Sequence, residues 1–120
     1  MRKLVGAVSH NEREIEELRE DREFALEYLK AAFESLDDPE ERAVGLIMLR
    51  TVAEAYGGLG TIAAQAGISR ESLYRTLSPK GNPTLKTLIA VLTTLGMRLS
   101  VAPAQKKAAR PAKKSRRAAA

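Results

Sequence analysis

The sequence predicts an all-α fold: a compact multi-helix domain with a short C-terminal strand and a disordered basic tail. Three observations predict it. Hydrophobic residues make up 44% of the 120, enough for one modest core, yet only 4% are aromatic and there is no Trp. The core must therefore be built from Ala, Leu, Ile and Val, which favours helices over a sandwich or barrel. Apolar residues also recur at helical spacing in several stretches, and capping residues and glycines punctuate those stretches.

Residues 1–11 read as disordered or frayed. Asn11 to Leu18 reads as a short charged helix whose apolar stripe is only Ile15 and Leu18. Asp21 stands where a stronger helix needs an N-cap. In that helix Phe24, Tyr28, Leu29, Ala32, Phe33 and Leu36 share one face, assigned to the core. Asp37-Asp38-Pro39-Glu40-Glu41 interrupts it. Asp38 can cap, Pro39 suits a first helical position, and Glu41 completes a box-like arrangement.

The next helix runs to about Tyr56. Val44, Leu46, Ile47, Met48, Leu49, Val52, Ala53 and Ala55 wrap most of its circumference, so one side packs inward and another is available to a partner. Gly57-Gly58 ends it. From Leu59 two very short helices flank Gly67, and Ser78 to Pro83 forms a loop. Thr84 can cap a final helix carrying Leu85, Leu88, Ile89, Val91, Leu92 and Leu95, which Gly96 stops. Met97-Arg98-Leu99-Ser100-Val101 alternates apolar and polar like a strand, and a lone strand needs a partner, which points to a dimer or a complex. From Ala102 onward no large apolar residue remains, so that segment cannot bury a core. The expected organisation is an N-terminal extension over 1–20, a helical domain over 21–101 and a tail over 102–120.

The net charge of +5 conceals a gradient. Residues 1–56 hold 8 Lys/Arg against 14 Asp/Glu, residues 57–101 hold 5 against the single acid Glu71, and residues 102–120 hold 7 against none. An acidic front and a basic back point to two partners of opposite charge, or to helices and a tail that are simply solvated. Without Cys, disulfides, thiolate metal sites and cysteine nucleophiles are excluded. His10 is the one histidine and reads as a solvated surface residue. Gly57-Gly58-Leu59-Gly60 lacks the Lys-Ser/Thr partner of a phosphate loop. The chain is therefore not expected to be an enzyme, and no catalytic residue, metal or cofactor is assigned. No apolar run approaches the ~20 residues that span a bilayer, and Met1 to Val8 is too short and weakly apolar for a signal peptide. The expected location is cytoplasmic.

The informative stretch is Leu59 to Ser78, LGTIAAQAGISRESLYRTLS. A helix-turn-helix needs a small residue at the crossing, a turn residue that tolerates positive φ, buried anchors on both sides and a cap on the second helix. Ala63, Gly67, the group Ile62, Ala66, Ile68 and Leu73, and Ser69 with Ser72 meet these demands in order. The second helix of such a motif enters the major groove by its N-terminal residues. Here those are Ser69, Arg70, Glu71 and Ser72, with Arg75 a turn further. Arg pairs with guanine in two-pronged fashion and Glu accepts from cytosine N4; Glu71 serves equally as a charge on the helix dipole. Tyr74 has two open readings, a thymine methyl or backbone contact and plain packing. Thr61, taken to open the first helix, and Lys80, Asn82, Thr84 and Lys86 are the expected phosphate contacts. Lys106, Lys107, Arg110, Lys113, Lys114, Arg116 and Arg117 form a polycation that either adds non-specific, salt-sensitive DNA affinity or merely solubilises.

With these residues in view, the chain resembles the addiction-module antidote proteins, an Xre-like, lambda-repressor-like helix-turn-helix family. The resemblance rests on Glu27 to Ala32 and Asp38-Pro39-Glu40, then on a longer block. That block comprises Ala63, Gly67 to Tyr74, Leu77-Ser78, Gly81-Asn82-Pro83, Thr87-Leu88, Leu95-Gly96 and Leu99-Ser100-Val101. It covers about residues 20–102 and leaves out the charged N-terminal helix and the tail. The resemblance implies a dimeric antitoxin that silences a small basic toxin of RelE/ParE type and represses their shared operon from a double-stranded DNA operator. Its recognition helix corresponds to Ser69 through Leu77. A stand-alone helix-turn-helix regulator or nucleoid-associated protein without a toxin remains the alternative.

Overall fold

The computed structural model describes residues 2–104, and side chains from Asn11 onward. Six helices follow one another: α1 Arg2–Glu20, α2 Arg22–Leu36, α3 Arg42–Ala55, α4 Gly58–Ala66, α5 Arg70–Thr76 and α6 Leu85–Thr94. α2 packs along α3, and α1 lies against both. α4 is the hub of the other half, touching α3, α5 and α6. The core runs through all six, with Leu18, Leu46, Leu49, Val52, Ile62, Leu73, Leu77 and Val91 removed from solvent.

The first helix is longer than the sequence pattern predicts. Residues 1–11 were expected to fray, but the helix begins at Arg2. Ile15 and Leu18 do form its packed stripe, with Leu18 fully buried. Once that stripe holds the helix, each further residue upstream adds a hydrogen bond without a new nucleation cost. Three polar ties secure α1 to the body. Arg19 Nε donates to the Ala55 carbonyl at 3.1 Å, closing the end of α3. The Tyr56 hydroxyl donates to the Leu18 carbonyl. The Tyr28 hydroxyl, on α2, meets Glu14 of α1 and Thr51 of α3; burial and the neighbouring Glu14 charge hold its pKa above the usual tyrosine value.

Asp21 caps α2 as expected, its Oδ1 accepting from the Phe24 amide at 3.0 Å. The inward face is Ala25, Leu29 and Ala32. Phe24, assigned to the core by spacing, is instead 36% exposed and stacks edge-on against Tyr28. It lies in the first turn, on the side where Glu17, Glu20 and Asp21 line an open cleft.

The Asp38-Pro39-Glu41 start signal is corrected as well. α3 begins at Arg42, and its N-cap, Glu41, makes no side-chain capping bond. Asp38 spends its carboxylate on the Glu40 amide at 3.0 Å and its carbonyl on the Glu41 amide at 2.8 Å. That is a local turn, the alternative that Asp always offers to a cap. α3 then ends at Tyr56, as the spacing predicts.

Thr84 caps α6 by accepting from the Thr87 amide at 3.2 Å, and the Gly96 and Met97 amides close its other end on Thr93 and Leu92. The expected strand over Met97–Val101 is absent: among the described residues there is no strand. The alternation is real, but a strand exists only through a hydrogen-bonded ladder, and this stretch meets none. Leu99 and Val101 are left 43% and 95% exposed.

Gly81 closes the loop after α5 under a hard steric limit. A Cβ there would stand 1.9 Å from the Thr76 carbonyl oxygen and 2.8 Å from that of Arg75. Gly81→Ala should therefore cost about 2–3 kcal/mol, as overpacking against rigid backbone does. Gly60→Ala, whose Cβ would meet nothing within 4 Å, should be neutral or stabilising by up to about 1 kcal/mol in a helix. Urea unfolding of both variants checks the contrast.

Candidate nucleic-acid interface

α4 and α5 are joined by only three residues, Gly67, Ile68 and Ser69. The turn is made by backbone hydrogen bonds that close α4. The Gly67 amide donates to Ala64 O at 3.2 Å and the Ile68 amide to Ala63 O at 3.0 Å, the paired closure that needs a left-handed residue between. Gly67 supplies it with φ 74°. Ile68 then folds back against the core, and Ile62, Ala63, Ala66 and Leu73 are buried on the two sides of the turn, as the spacing predicts.

Ser69 starts α5. Its Oγ accepts from the Ser72 amide at 3.0 Å and pairs with the Ser72 hydroxyl at 3.0 Å. Leu73 and Leu77 carry α5 into the core with no exposure. The opposite side of the helix holds Arg70, Glu71, Tyr74 and Arg75, all exposed. Arg75 reaches the Ser72 hydroxyl at 3.5 Å. Ser69 and Ser72 are thus engaged in capping, while the arginines, Glu71 and the outer face of Tyr74 stay accessible.

The flanking residues separate into two groups. Lys80 and Asn82 are exposed on the loop beside the C-terminal end of α5. Thr84 and Lys86 are exposed too, but both have structural work. The Thr84 hydroxyl caps α6, and a Cβ on Gly67 would lie 3.2 Å from Lys86 Nζ. The Lys86 ammonium therefore rests over the C-terminal end of α4, where a cation is favoured. Thr61 does not open α4, which starts three residues earlier at Gly58. Thr61 is exposed one turn in, and the amides free of helical bonds belong to the glycine-rich turn before it. Lys106, Lys107, Arg110, Lys113, Lys114, Arg116 and Arg117 lie outside the described residues.

Sequence reasoning missed Arg50. From α3 its guanidinium sits 4.3 Å from the centre of the Tyr74 ring and donates to Ser78 Oγ at 3.3 Å. Ser78 Oγ in turn donates to the Tyr74 carbonyl at 2.6 Å. Arg50 thereby orients Tyr74 and fastens the C-terminal end of α5 to α3. No local pattern marks it, because α5 follows it by twenty residues.

Such a molecule belongs to a recognisable class: an all-helical domain that displays a short, capped, basic helix and gathers its acidic residues in the helices before it. The family model of probable addiction module antidote proteins matches residues 10–103, and the chain belongs to that family. An uncharacterized protein of Haemophilus influenzae (strain ATCC 51907 / DSM 11121 / KW20 / Rd) is 46% identical over 43 residues, 36% of this chain. The matched stretch covers 44% of that relative's length. No solved structure matches the chain. No helix among the described residues is long and apolar enough to cross a membrane.

Ser69→Ala removes the cap of a helix of seven residues and should cost about 1 kcal/mol, with Ser69→Asp restoring most of it. Thermal unfolding of the two variants measures this, and equal losses for both would show that the cap does not hold α5.

Proposed function

We propose that this antidote protein binds DNA through α5, neutralises a RelE/ParE-type toxin and represses its own operon as a homodimer. The observation that carries the reading is the division of α5: Leu73 and Leu77 are wholly buried while Arg70, Glu71, Tyr74 and Arg75 face solvent. In this reading α4 and α5 form a helix-turn-helix, and α5 is the helix that enters the major groove. Arg70 and Arg75 read guanine edges, and Glu71 accepts from cytosine or steadies the helix dipole. Tyr74, with Arg50 stacked over one face of its ring, offers the other face to a thymine methyl. Lys80 and Asn82 contact phosphates beside it, with Thr61 and the amides before it on the other flank. Ser69, Ser72, Thr84 and Lys86 act chiefly by holding this surface in shape. The cations between Lys106 and Arg117 add sequence-independent affinity.

The homodimer has exposed apolar residues to draw on, Leu85 and Ile89 one turn apart on α6 and Leu99 and Val101 beyond it. Two recognition helices about 34 Å apart would read an inverted repeat. The carboxylates of α1 and α2 face the basic toxin, since complementary charge speeds and orients docking. The chain acts by binding in this reading, with no catalytic step, in the cytoplasm. A stand-alone regulator without a toxin is the second reading, favoured by the seven cations after Ala102.

Co-expression with the protein encoded beside it should yield a complex that survives gel filtration. Recovery of the antidote alone would favour the stand-alone regulator. On the promoter of that operon, Arg75→Ala should cost about 1–3 kcal/mol confined to one base position, and Lys80→Ala should lower the salt slope by about one. Mobility-shift titrations across single-base operator variants report both. A uniform loss for Arg75→Ala would make Arg75 a phosphate contact, and no loss would remove α5 from the interface.

A further inference from the structure

Where α1 meets α2, Glu17, Glu20, Asp21 and Phe24 line an open cleft of about 350 Å³. Residues 11–27 carry eight carboxylates and three arginines. Two of those arginines are turned to backbone carbonyls instead, Arg19 to Ala55 and Arg22 to Leu95 at 2.5 Å. Among the described residues Glu17, Glu20 and Asp21 make no ion pair. Phe24 gives the cleft an exposed ring on which a guanidinium or a lysine stem can rest.

The course of the chain supplies the occupant. The Arg22–Leu95 bond sets the end of α6 against the first turn of α2, and a Cβ on Gly96 would lie 3.2 Å from the same guanidinium. Residues 98–104 leave this point exposed to solvent. Lys106 is ten residues beyond Gly96, a reach of up to about 33 Å when extended. Between Lys106 and Arg117 stand seven cations and no acid.

We propose that residues 105–120 dock on the α1–α2 cleft of the same chain. Each ion pair is weak at a surface, but tethering presents all seven cations at an effective concentration in the millimolar range, against carboxylates that make no ion pair among the described residues. The same cations are the ones that duplex phosphates attract, so DNA and cleft compete for one segment, and a basic partner approaching α1 and α2 must displace it.

The chain has no cysteine, so Ser115→Cys gives a single attachment point for a nitroxide on the full chain labelled with nitrogen-15. At low salt the amides of residues 17–24 should lose about half their intensity or more while those of α5 keep theirs, and roughly 0.5 M salt should restore them. The triple variant E17Q/E20Q/D21N, in which Asn keeps the α2 cap, should abolish the loss and leave the rest of the spectrum unchanged. Uniform broadening, no broadening, or broadening centred on α5 would overturn the proposal. So would the same loss in a mixture of spin-labelled unenriched chain and enriched unlabelled chain, because it would assign the contact to a second copy.

Discussion

A helix of seven residues is too short to persist in water on its own, because its nucleation cost is spread over too few hydrogen bonds. α5 is such a helix, so its position is set entirely by what grips it. Leu73 and Leu77 anchor it from beneath, the turn through Gly67 and the Ser69 cap fix where it begins, and Gly81 lies against the carbonyls at its end. Arg50 adds a tie from α3 through Tyr74 and Ser78. Everything the outward face can do follows from that grip, because side chains on a wandering helix could not hold a fixed spacing against any partner.

The rest of the molecule can be seen as the support for this grip. α4, which touches α3, α5 and α6, transmits the position of the α2–α3 pair to α5. Much of the stitching between helices uses arginines that donate to backbone carbonyls: Arg19 to Ala55, Arg22 to Leu95 and, across the α2–α3 turn, Arg42 to Leu36. Each satisfies a carbonyl near a helix end, where intrahelical donors run out. Their use as structural donors also leaves Glu17, Glu20 and Asp21, among the described residues, without an ion pair. The basic side chains of α5 and of the following loop stand in a stretch with one acid, Glu71. The charge gradient of the sequence thus falls on different elements, most of the acid on the first helices and the base on α5 and the loop after it.

The turn chemistry was legible in the sequence because it is local. Gly67, Ser69, Ser72, Asp21, Thr84 and Gly96 act on groups within five residues, and the structure uses each as the spacing predicts. The candidate surface was legible for the same reason: with Leu73 turned inward, helical geometry alone sends Arg70, Tyr74 and Arg75 outward. Arg50 was not legible, since its partners are more than twenty residues away. The structural duty of Lys86 was hidden likewise, because a polar residue near a proposed surface looks the same whether it screens a helix end or binds.

By itself the sequence determined the helical class, the break at Gly67, most of the caps and the separation of acid from base, all consequences of periodicity, backbone stereochemistry and composition. Tertiary structure decided the matters in which several groups compete for one. Asp38 chose a turn over a cap, and Phe24 lost its cover. α1 extended to Arg2 because the body held it, and Met97 to Val101 stayed out of any ladder because no strand lies beside it among the described residues. A residue's own preference is a few tenths to about one kcal/mol, and a single buried neighbour or its absence outweighs that.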